Sequence, residues 1–249
     1  MLRTTCFAAS AIAVAQISLA SSANADLVIL QNPTATFSQT SFGNFSVAGT
    51  LANPSSTSWA IYDAIGNTAS QTAVWETQSD INMAMLTFKI THTDATVGTG
   101  SQPNLGRFRL SYTTDERSLF ADGLSVGGDV TASWVVLNHV SFTSNGVGST
   151  ATVLGDLSLL VSGGPTTGST YTITSIAAST GITGFRLEAL EDASLPTAGP
   201  GRASNGNFHI SLFEVDASAV PEPSSLMMFS GLAFGAVFTR RRRHTPNVS

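Results

Sequence analysis

The chain has 249 residues, of which only 11% are charged, and it is rich in Gly, Ser and Thr. Between residues 26 and 219 it carries six basic and fifteen acidic side chains, a formal net charge of −9. A domain this acidic repels phosphate backbones, which argues against binding to nucleic acid. The scarcity of charge and the abundance of small polar residues favour an exported all-β protein over a cytosolic helical one.

The first 25 residues are predicted to be a signal peptide. Arg3 precedes an apolar run from Phe7 to Ala20, and Ala23 and Ala25 place small side chains at the two positions that signal peptidase recognises. We therefore expect signal peptidase to cleave before Asp26. A retained membrane anchor is the alternative, but the apolar run is short for a spanning helix.

The single cysteine of the chain, Cys6, lies within this predicted signal peptide. The mature chain then has no thiol, which excludes disulfides, thiolate metal sites and a cysteine nucleophile. We expect an ordinary apolar core to hold the fold together.

Apolar and polar residues alternate with period two along the middle of the chain. In LTFKI (Leu86 to Ile90) and in RFRLSY (Arg107 to Tyr112) every second side chain is apolar, which indicates strands with one buried face. Turns rich in Gly, Pro and Asn separate such segments, so we predict an all-β, jelly-roll-like β-sandwich over residues 26 to 219. Five more segments are predicted strands: TAVWET (Thr72 to Thr77), SWVVLNHVSF (Ser133 to Phe142), TYTITSI (Thr170 to Ile176), GFRLEAL (Gly184 to Leu190) and NFHISLFEV (Asn207 to Val215).

The last of these segments changes its apolar side part of the way along. Phe208, Ile210 and Leu212 share one face, whereas Phe213 and Val215 fall on the other. A bulge near Leu212 in a central strand accommodates this change.

Several blocks of the chain resemble the galactose-binding-like, or discoidin-like, jelly roll, and they follow that fold's usual order. The resemblance implies a carbohydrate ligand and, as is common in this fold, a structural calcium ion; we expect no other cofactor. An alternative to one domain is two smaller modules divided near residues 122 to 129. The blocks are ATFSQ (Ala35 to Gln39), SWAIYD (Ser58 to Asp63), AVWET (Ala73 to Thr77), LGRFRLSYTTDE (Leu105 to Glu116), GFRLEAL and FEV (Phe213 to Val215).

No catalytic constellation is recognisable in the sequence. The histidines of the predicted mature domain, His92, His139 and His209, lie in strand patterns, where a hydrogen-bonded or half-exposed histidine is the usual outcome. His92 and Asp94 share one face of a strand, as a metal-binding pair would, but no third ligand follows at a known spacing. We therefore predict no catalytic residue and no metal site from spacing.

The glycine-rich segment GPGRASNG (Gly199 to Gly206) matches no phosphate-binding loop. We interpret it as a turn in which Arg202 binds backbone carbonyls or Glu188. Four charged residues project from predicted strands opposite their apolar neighbours, and we expect them to form cross-strand ion pairs on a solvated face, with a site for sugar hydroxyls as the alternative. They are Arg107, Arg109, Arg186 and Glu188.

Three tryptophans, Trp59, Trp75 and Trp134, are candidate stacking surfaces for a sugar ring. Each also lies where a sandwich needs a large core side chain. We expect burial for all three, least strongly for Trp59, which follows a loop.

The tail from residue 220 to 249 combines an apolar run with a block of positive charge. Sixteen residues from Ser224 to Thr239 carry no charge; as a helix they reach ~24 Å, against a hydrocarbon core of ~30 Å. Bilayer thinning or arginine snorkelling lets such a short helix span the membrane. Positive blocks stay on the cytoplasmic side, which leaves the domain outside; this block consists of Arg240, Arg241, Arg242 and Arg243.

Pro221, Glu222 and Pro223 hold the chain extended just before the apolar run. Val-Pro-Glu-Pro, a short apolar span and an arginine cluster, in this order, resemble the PEP-CTERM sorting signal of exported bacterial proteins. The resemblance implies recognition by an exosortase, a membrane-embedded, cysteine-protease-like transpeptidase. It also implies removal of the tail and delivery to the cell surface or extracellular matrix.

The sequence therefore predicts an exported, non-enzymatic surface or matrix protein that is held transiently in the inner membrane and then meets an extracellular glycan. Two alternatives stay open. One is a secreted hydrolase of polysaccharides, which requires paired carboxylates. The other is a permanently membrane-anchored surface protein with a purely structural role.

Overall fold

A computed structural model describes residues 25–51, 58–63, 68–82, 84–92, 103–164 and 167–219, which all fall in one compact unit. The predicted signal peptide, the Pro-Glu-Pro motif and the arginine block lie outside these residues. Within them no helix is long and apolar enough to cross a membrane. The strands are β1 (Asp26–Leu27), β2 (Leu30–Ala35), β3 (Gln71–Ile81), β4 (Ala84–His92), β5 (Arg107–Thr113), β6 (Val135–Val136), β7 (His139–Ser144), β8 (Thr150–Val153), β9 (Leu159–Ser162), β10 (Thr170–Ala177), β11 (Ile182–Ala189) and β12 (Ile210–Ala219).

These strands form two antiparallel sheets. One sheet has the order β1-β12-β4-β10-β7, and the other has the order β2-β3-β11-β5-β9-β8, with β6 paired to β5. Strands from either side of residues 122 to 129 are neighbours in both sheets, because β11 pairs with β3 and β5 while β10 pairs with β4.

The apolar core lies between the two sheets. The rings of Trp75 in β3 and Phe213 in β12 stack with centroids 4.0 Å apart, and Phe88 in β4 meets Phe185 in β11 edge to face at 5.3 Å. All four side chains are buried, each projecting from its own sheet toward the other. The predicted all-β architecture is confirmed, and the two packed sheets are consistent with a β-sandwich.

The closing strand carries the predicted irregularity. The pairing of β12 with β4 shifts register between Ile210 and Leu212, and β12 also pairs with β1 on its other side. The bulge and the internal position predicted for this segment are both confirmed. The shift allows Ile210 and Phe213 to enter the same core although they differ by an odd number of residues.

The prediction of one strand over Ser133 to Phe142 is wrong. This segment divides into β6, which pairs with β5, and β7, which pairs with β10 in the other sheet. Leu137 lies between them; its side chain is buried, and its N–H donates to the Leu110 carbonyl at 2.9 Å. The chain passes from one sheet to the other at this residue, a change that alternation cannot reveal.

Candidate functional site

His92 is a buried structural residue at the end of β4. Its Nδ1 lies 2.6 Å from the Ser169 carbonyl, and its Nε2 accepts the Leu105 N–H at 3.1 Å. Since Nε2 is an acceptor, Nδ1 carries the proton and the ring is neutral. Burial lowers the pKa of His92 to about 4, which favours the same form. Asp94, its predicted partner in a metal-binding pair, lies outside the described residues.

His209 belongs to a buried polar network just before β12. Its Nδ1 is 3.1 Å from Ser58 Oγ, and its Nε2 is 3.5 Å from the side-chain nitrogen of Asn207. Asn207 in turn donates to Gln39 Oε1 at 3.1 Å and accepts the Ile61 N–H at 2.9 Å. Burial lowers the pKa of His209 to about 4. The network ties the closing strand to the segments around residues 39 and 60.

His139 opens β7 and is half-buried, and burial lowers its pKa. Its Nδ1 lies 3.0 Å from Ser175 Oγ. Two serines contact histidines through their hydroxyl groups, and both of them, Ser58 and Ser175, are fully enclosed. Neither hydroxyl is therefore placed to meet a substrate from solvent.

Two of the three tryptophans, Trp59 and Trp75, offer no free stacking surface. Trp59 and Trp75 are fully buried, and their indole N–H groups donate to the Phe37 carbonyl and to Thr50 Oγ1, each at 3.0 Å. The burial expected for both is confirmed, whereas the core position expected for Trp134 is wrong. Trp134 is half-buried on the outer face of the second sheet, where the Arg186 guanidinium lies 5.2 Å from its ring centroid.

Arginine and glutamate side chains form cross-strand ion pairs on the outer face of β5 and β11, as predicted. Arg109 Nε and Nη2 donate to the two oxygens of Glu188 at 2.7 and 2.8 Å, a bidentate arrangement. Arg186 reaches Glu188 at 3.0 Å, so one carboxylate holds two guanidinium groups. Arg107 bonds to Asp156 at 2.8 Å and lies 3.5 Å from Asp192.

This face is less solvated than predicted. The side chains of Arg109, Arg186 and Glu188 are only 12 to 24% exposed. A second small apolar cluster on the same face groups Val74 of β3 with Phe120 and further side chains from the following loop, so that loop covers part of the sheet. The ion pairs are therefore partly desolvated and act as cross-strand ties.

The segment from residue 199 to 206 is a closed turn. The Gly201 N–H donates to the Gly206 carbonyl at 2.9 Å, and a Cβ at Gly201 would lie 1.9 Å from the Asn207 carbonyl oxygen. Glycine is thus required there by close backbone approach. Arg202 donates to the Gly163 carbonyl, which confirms the predicted turn in which this arginine binds a carbonyl.

A cavity of about 250 Å³ on the outer face of the second sheet is lined by residues that include Glu76, Asp122 and Asp129. Glu76 is buried, and one of its oxygens accepts side-chain amides from Gln31 and Asn32 at 3.0 and 2.8 Å. The two oxygens of Asp122 accept backbone N–H groups. Among the described residues, no three His, Cys, Asp or Glu side chains are grouped so that they could hold a metal ion.

The two ends of the described chain meet in the first sheet. β1 pairs with β12, the Val28 N–H donates to the Val215 carbonyl at 2.8 Å, and Lys89 Nζ lies 2.8 Å from Asp216. An open cleft of about 440 Å³ lies beside this junction. The hydrogen bond to Asp216 raises the pKa of Lys89. The last strand is thus anchored on both sides close to where it ends at Ala219.

Sequence reasoning did not identify this junction or the carboxylate cavity. The apolar run LVIL (Leu27 to Leu30), which begins at the second residue after the predicted cleavage position, is the signal that points to the first two strands. The partners of Glu76 come from β2, 44 and 45 residues away, and nothing in the local pattern indicates them.

Comparison with known families identifies the segment that begins at the end of β12. The family model for the PEP-CTERM protein-sorting motif matches residues 219–243, a range that contains the Pro-Glu-Pro sequence and the four arginines. The chain matches no curated protein and no solved structure. The motif indicates the class of exported, cell-surface-directed proteins that exosortase processes.

Proposed function

We propose that this chain is an exported protein whose tail is removed by an exosortase. The remaining non-catalytic β-sandwich is then displayed at the cell surface or in the extracellular matrix. One observation carries the proposal: β12 ends at Ala219, and the sorting motif begins at the same residue. Every described strand ends at or before the first residue of the motif. Cleavage within it therefore removes none of the interstrand hydrogen bonds that hold the two sheets.

The test is export of the full chain in a host that contains an exosortase. Pro221, Glu222 and Pro223 are replaced together by alanine. In the matched control, Thr245, Pro246 and Asn247, which lie in the tail but beyond the motif, are replaced by alanine. We expect the wild type and the control to reach the surface and the motif variant to stay in the membrane fraction. Normal sorting of the motif variant would refute the proposal.

A non-catalytic role is supported by the environment of the polar side chains. The serines beside His139 and His209 are buried, and Asp122 and Glu76 accept hydrogen bonds that fix them within the fold. A glycosidase carboxyl must instead be free to exchange a proton with substrate or water. Release of reducing ends from surface polysaccharides by the purified protein would favour the hydrolase alternative.

Carbohydrate is the ligand class that we propose for the sandwich. The supporting observation is an aromatic pair at the surface: Phe42 is 74% exposed, and its ring centroid lies 6.2 Å from that of the partly buried Tyr62. Aromatic faces of this kind cover the apolar side of a sugar ring. We expect the protein to bind glycans on an array. Phe42→Ala should abolish this binding, and the control Leu119→Ala should preserve it. Uniformly flat arrays, with and without calcium, would leave a structural role.

A further inference from the structure

The outermost strands of the two sheets lie side by side on one flank of the sandwich. β7 ends the first sheet, β8 ends the second, and residues 145 to 149 connect them. A groove of about 360 Å³ separates the two strands, and Ser141, Phe142, Thr150 and Val153 are among the residues that line it. We call β7, β8 and this groove the open flank.

The register of β7 shows which backbone groups face the open flank. Residues 141 to 144 of β7 pair with residues 174 to 171 of β10, and the Asn145 N–H donates to the Thr170 carbonyl at 3.2 Å. Hydrogen-bonded pairs alternate in an antiparallel ladder, so the backbone groups of Ser141 and Thr143 also face β10. Those of Phe142 and Ser144 therefore point away from the sheet.

The open flank lacks most of the features that keep strand edges from associating. Residues 130 to 155 contain no Asp, Glu, Lys, Arg or Pro, whereas edge strands are commonly blocked by charge or proline. Val140 is 60% exposed and Val147 is 92% exposed. A bulge at Val140 interrupts the ladder with β10 but leaves residues 141 to 144 regular.

We propose that the open flank binds a second copy of this chain by antiparallel pairing of β7 with β7. The two five-stranded sheets would then join into one continuous sheet of ten strands. The outward N–H and C=O groups of Phe142 in each copy form hydrogen bonds with those of Ser144 in the other copy. This register places the two Thr143 residues opposite each other at the two-fold axis.

Charge favours a second copy of this chain as the occupant. The region from residue 26 to 219 has a net charge of −9, so two copies repel each other over most of their surface. The open flank is uncharged, and like-charge repulsion is weakest there. The pairing is also self-complementary: each copy offers the same outward donors and acceptors that it needs, and Thr143 meets Thr143, a favourable cross-strand pair.

Cysteine cross-linking tests the pairing in the full chain, exported from a host that contains an exosortase. In a Cys6→Ala background, Thr143→Cys is compared with Ser141→Cys, an exposed position on the same strand and the same face. Opposed Cα atoms at a non-hydrogen-bonded pair are ~4.5 Å apart, which a disulfide can bridge. Two copies of residue 141 would be ~14 Å apart in this register, beyond the reach of a disulfide.

We expect mild oxidation to convert most of the Thr143→Cys protein, and little of the Ser141→Cys protein, to a covalent dimer. Equal cross-linking of both variants, or preferential cross-linking at residue 141, would overturn the proposed register.

Light scattering after size exclusion provides a second readout without cysteine. The wild type is expected at twice the monomer mass. Thr143→Lys, which places two ammonium groups opposite each other, is expected at the monomer mass. Thr152→Lys adds the same charge on β8, which takes no part in the pairing of β7 with β7, and it should remain dimeric. A monomeric wild type, or a dimeric Thr143→Lys variant, would refute the proposal and leave the proposed sorting function unaffected.

Discussion

Asp26 and Ala217 lie directly opposite each other in the antiparallel pair of β1 and β12. Asp26 is the first residue after the predicted signal-peptidase cleavage, and Ala217 precedes the sorting motif by two residues. The two predicted processing events therefore act on chain segments that leave the sandwich next to each other. After both cleavages, the new N-terminus would help to hold the last strand.

Replacing Val28 with proline should loosen the end of β12. Proline removes the N–H that bonds to the Val215 carbonyl, and we expect a loss of about 1 to 2 kcal/mol in the free energy of unfolding. Denaturant unfolding measures the loss, and limited proteolysis shows whether the cuts fall near residue 215. The control Leu27→Ala shortens an exposed side chain but keeps the backbone donor. Equal stability of the two variants would contradict a role for this pairing.

Glu188→Gln should destabilise the protein more than removal of a surface carboxylate. Glu188 is 12% exposed and holds both Arg109 and Arg186. The substitution leaves the partly buried Arg186 without this counter-charge and leaves Arg109 with only the longer contact to Asp156, at 3.8 Å. We expect a cost of about 2 to 4 kcal/mol. Asp80→Asn is the matched control, because Asp80 is 56% exposed and pairs with a single arginine, Arg117; its cost should be within about 1 kcal/mol. Equal costs would show that the ion pairs on this face contribute no more than a surface pair.

Stability should fall as the pH falls from 6.5 to about 4. The pKa values of His92 and His209 are lowered from 6.5 to about 4 by burial. The unfolded chain therefore takes up protons first, and stability that is fully present above pH 6.5 is lost toward pH 4. At roughly 1.4 kcal/mol per pKa unit, two such groups give a loss of several kcal/mol. Urea unfolding across this range measures the slope, and His92→Gln should reduce it. A flat profile would contradict neutral, buried histidines.

Asp156 should cause a second loss of stability, at a lower pH than the histidines. Its pKa is lowered from 3.8 to about 2, first by the hydrogen bond from the Ser158 hydroxyl and also by Arg107. A lowered carboxyl pKa contributes stability above pH 3.8 that is lost as the pH falls toward 2. Ser158→Ala should weaken this effect at low pH and leave the histidine range unchanged. A Ser158→Ala profile identical to the wild type below pH 4 would show that the hydroxyl is not responsible.

Calcium should not change thermal stability. The resemblance to a jelly roll implies a structural calcium ion, but Asp122 already accepts two backbone N–H groups and Glu76 accepts two amides. Scanning calorimetry with millimolar calcium and with a chelator should give the same unfolding temperature. A rise with calcium that Asp129→Asn removes would instead locate a site at the carboxylate cavity.

The parts of the fold that could be predicted from the sequence are the regular strands, in which a residue's position along the strand decides whether its side chain is buried. Alternation located β4, β5, β10 and β11, and the odd spacing between Ile210 and Phe213 located the bulge in β12. Alternation did not predict the break at Leu137, because a segment that passes from one sheet to the other keeps its local pattern while its partner strands change. Alternation also did not predict β1, a strand of two residues that pair with residues 217 and 216, far away in the sequence.

The candidate sites also include some contacts that the local sequence predicts and others that it does not. The ion pairs around Glu188 were predictable because their members alternate with apolar residues on neighbouring strands. The contact between Asn207 and Gln39 spans 168 residues and carries no local signal. The sorting motif was recognisable from residues 220 to 243 alone, since proline, apolar residues and arginine act there as a linear signal.

Intact-mass measurement of the protein recovered from the surface of an exosortase-containing host tests whether the sandwich is complete without the tail. We predict a polypeptide that begins at Asp26, retains all of β12 through Ala219 and lacks Arg240 to Arg243. Recovery of a surface protein that still carries the four arginines, or of one that has lost residues of β12, would contradict the proposed function.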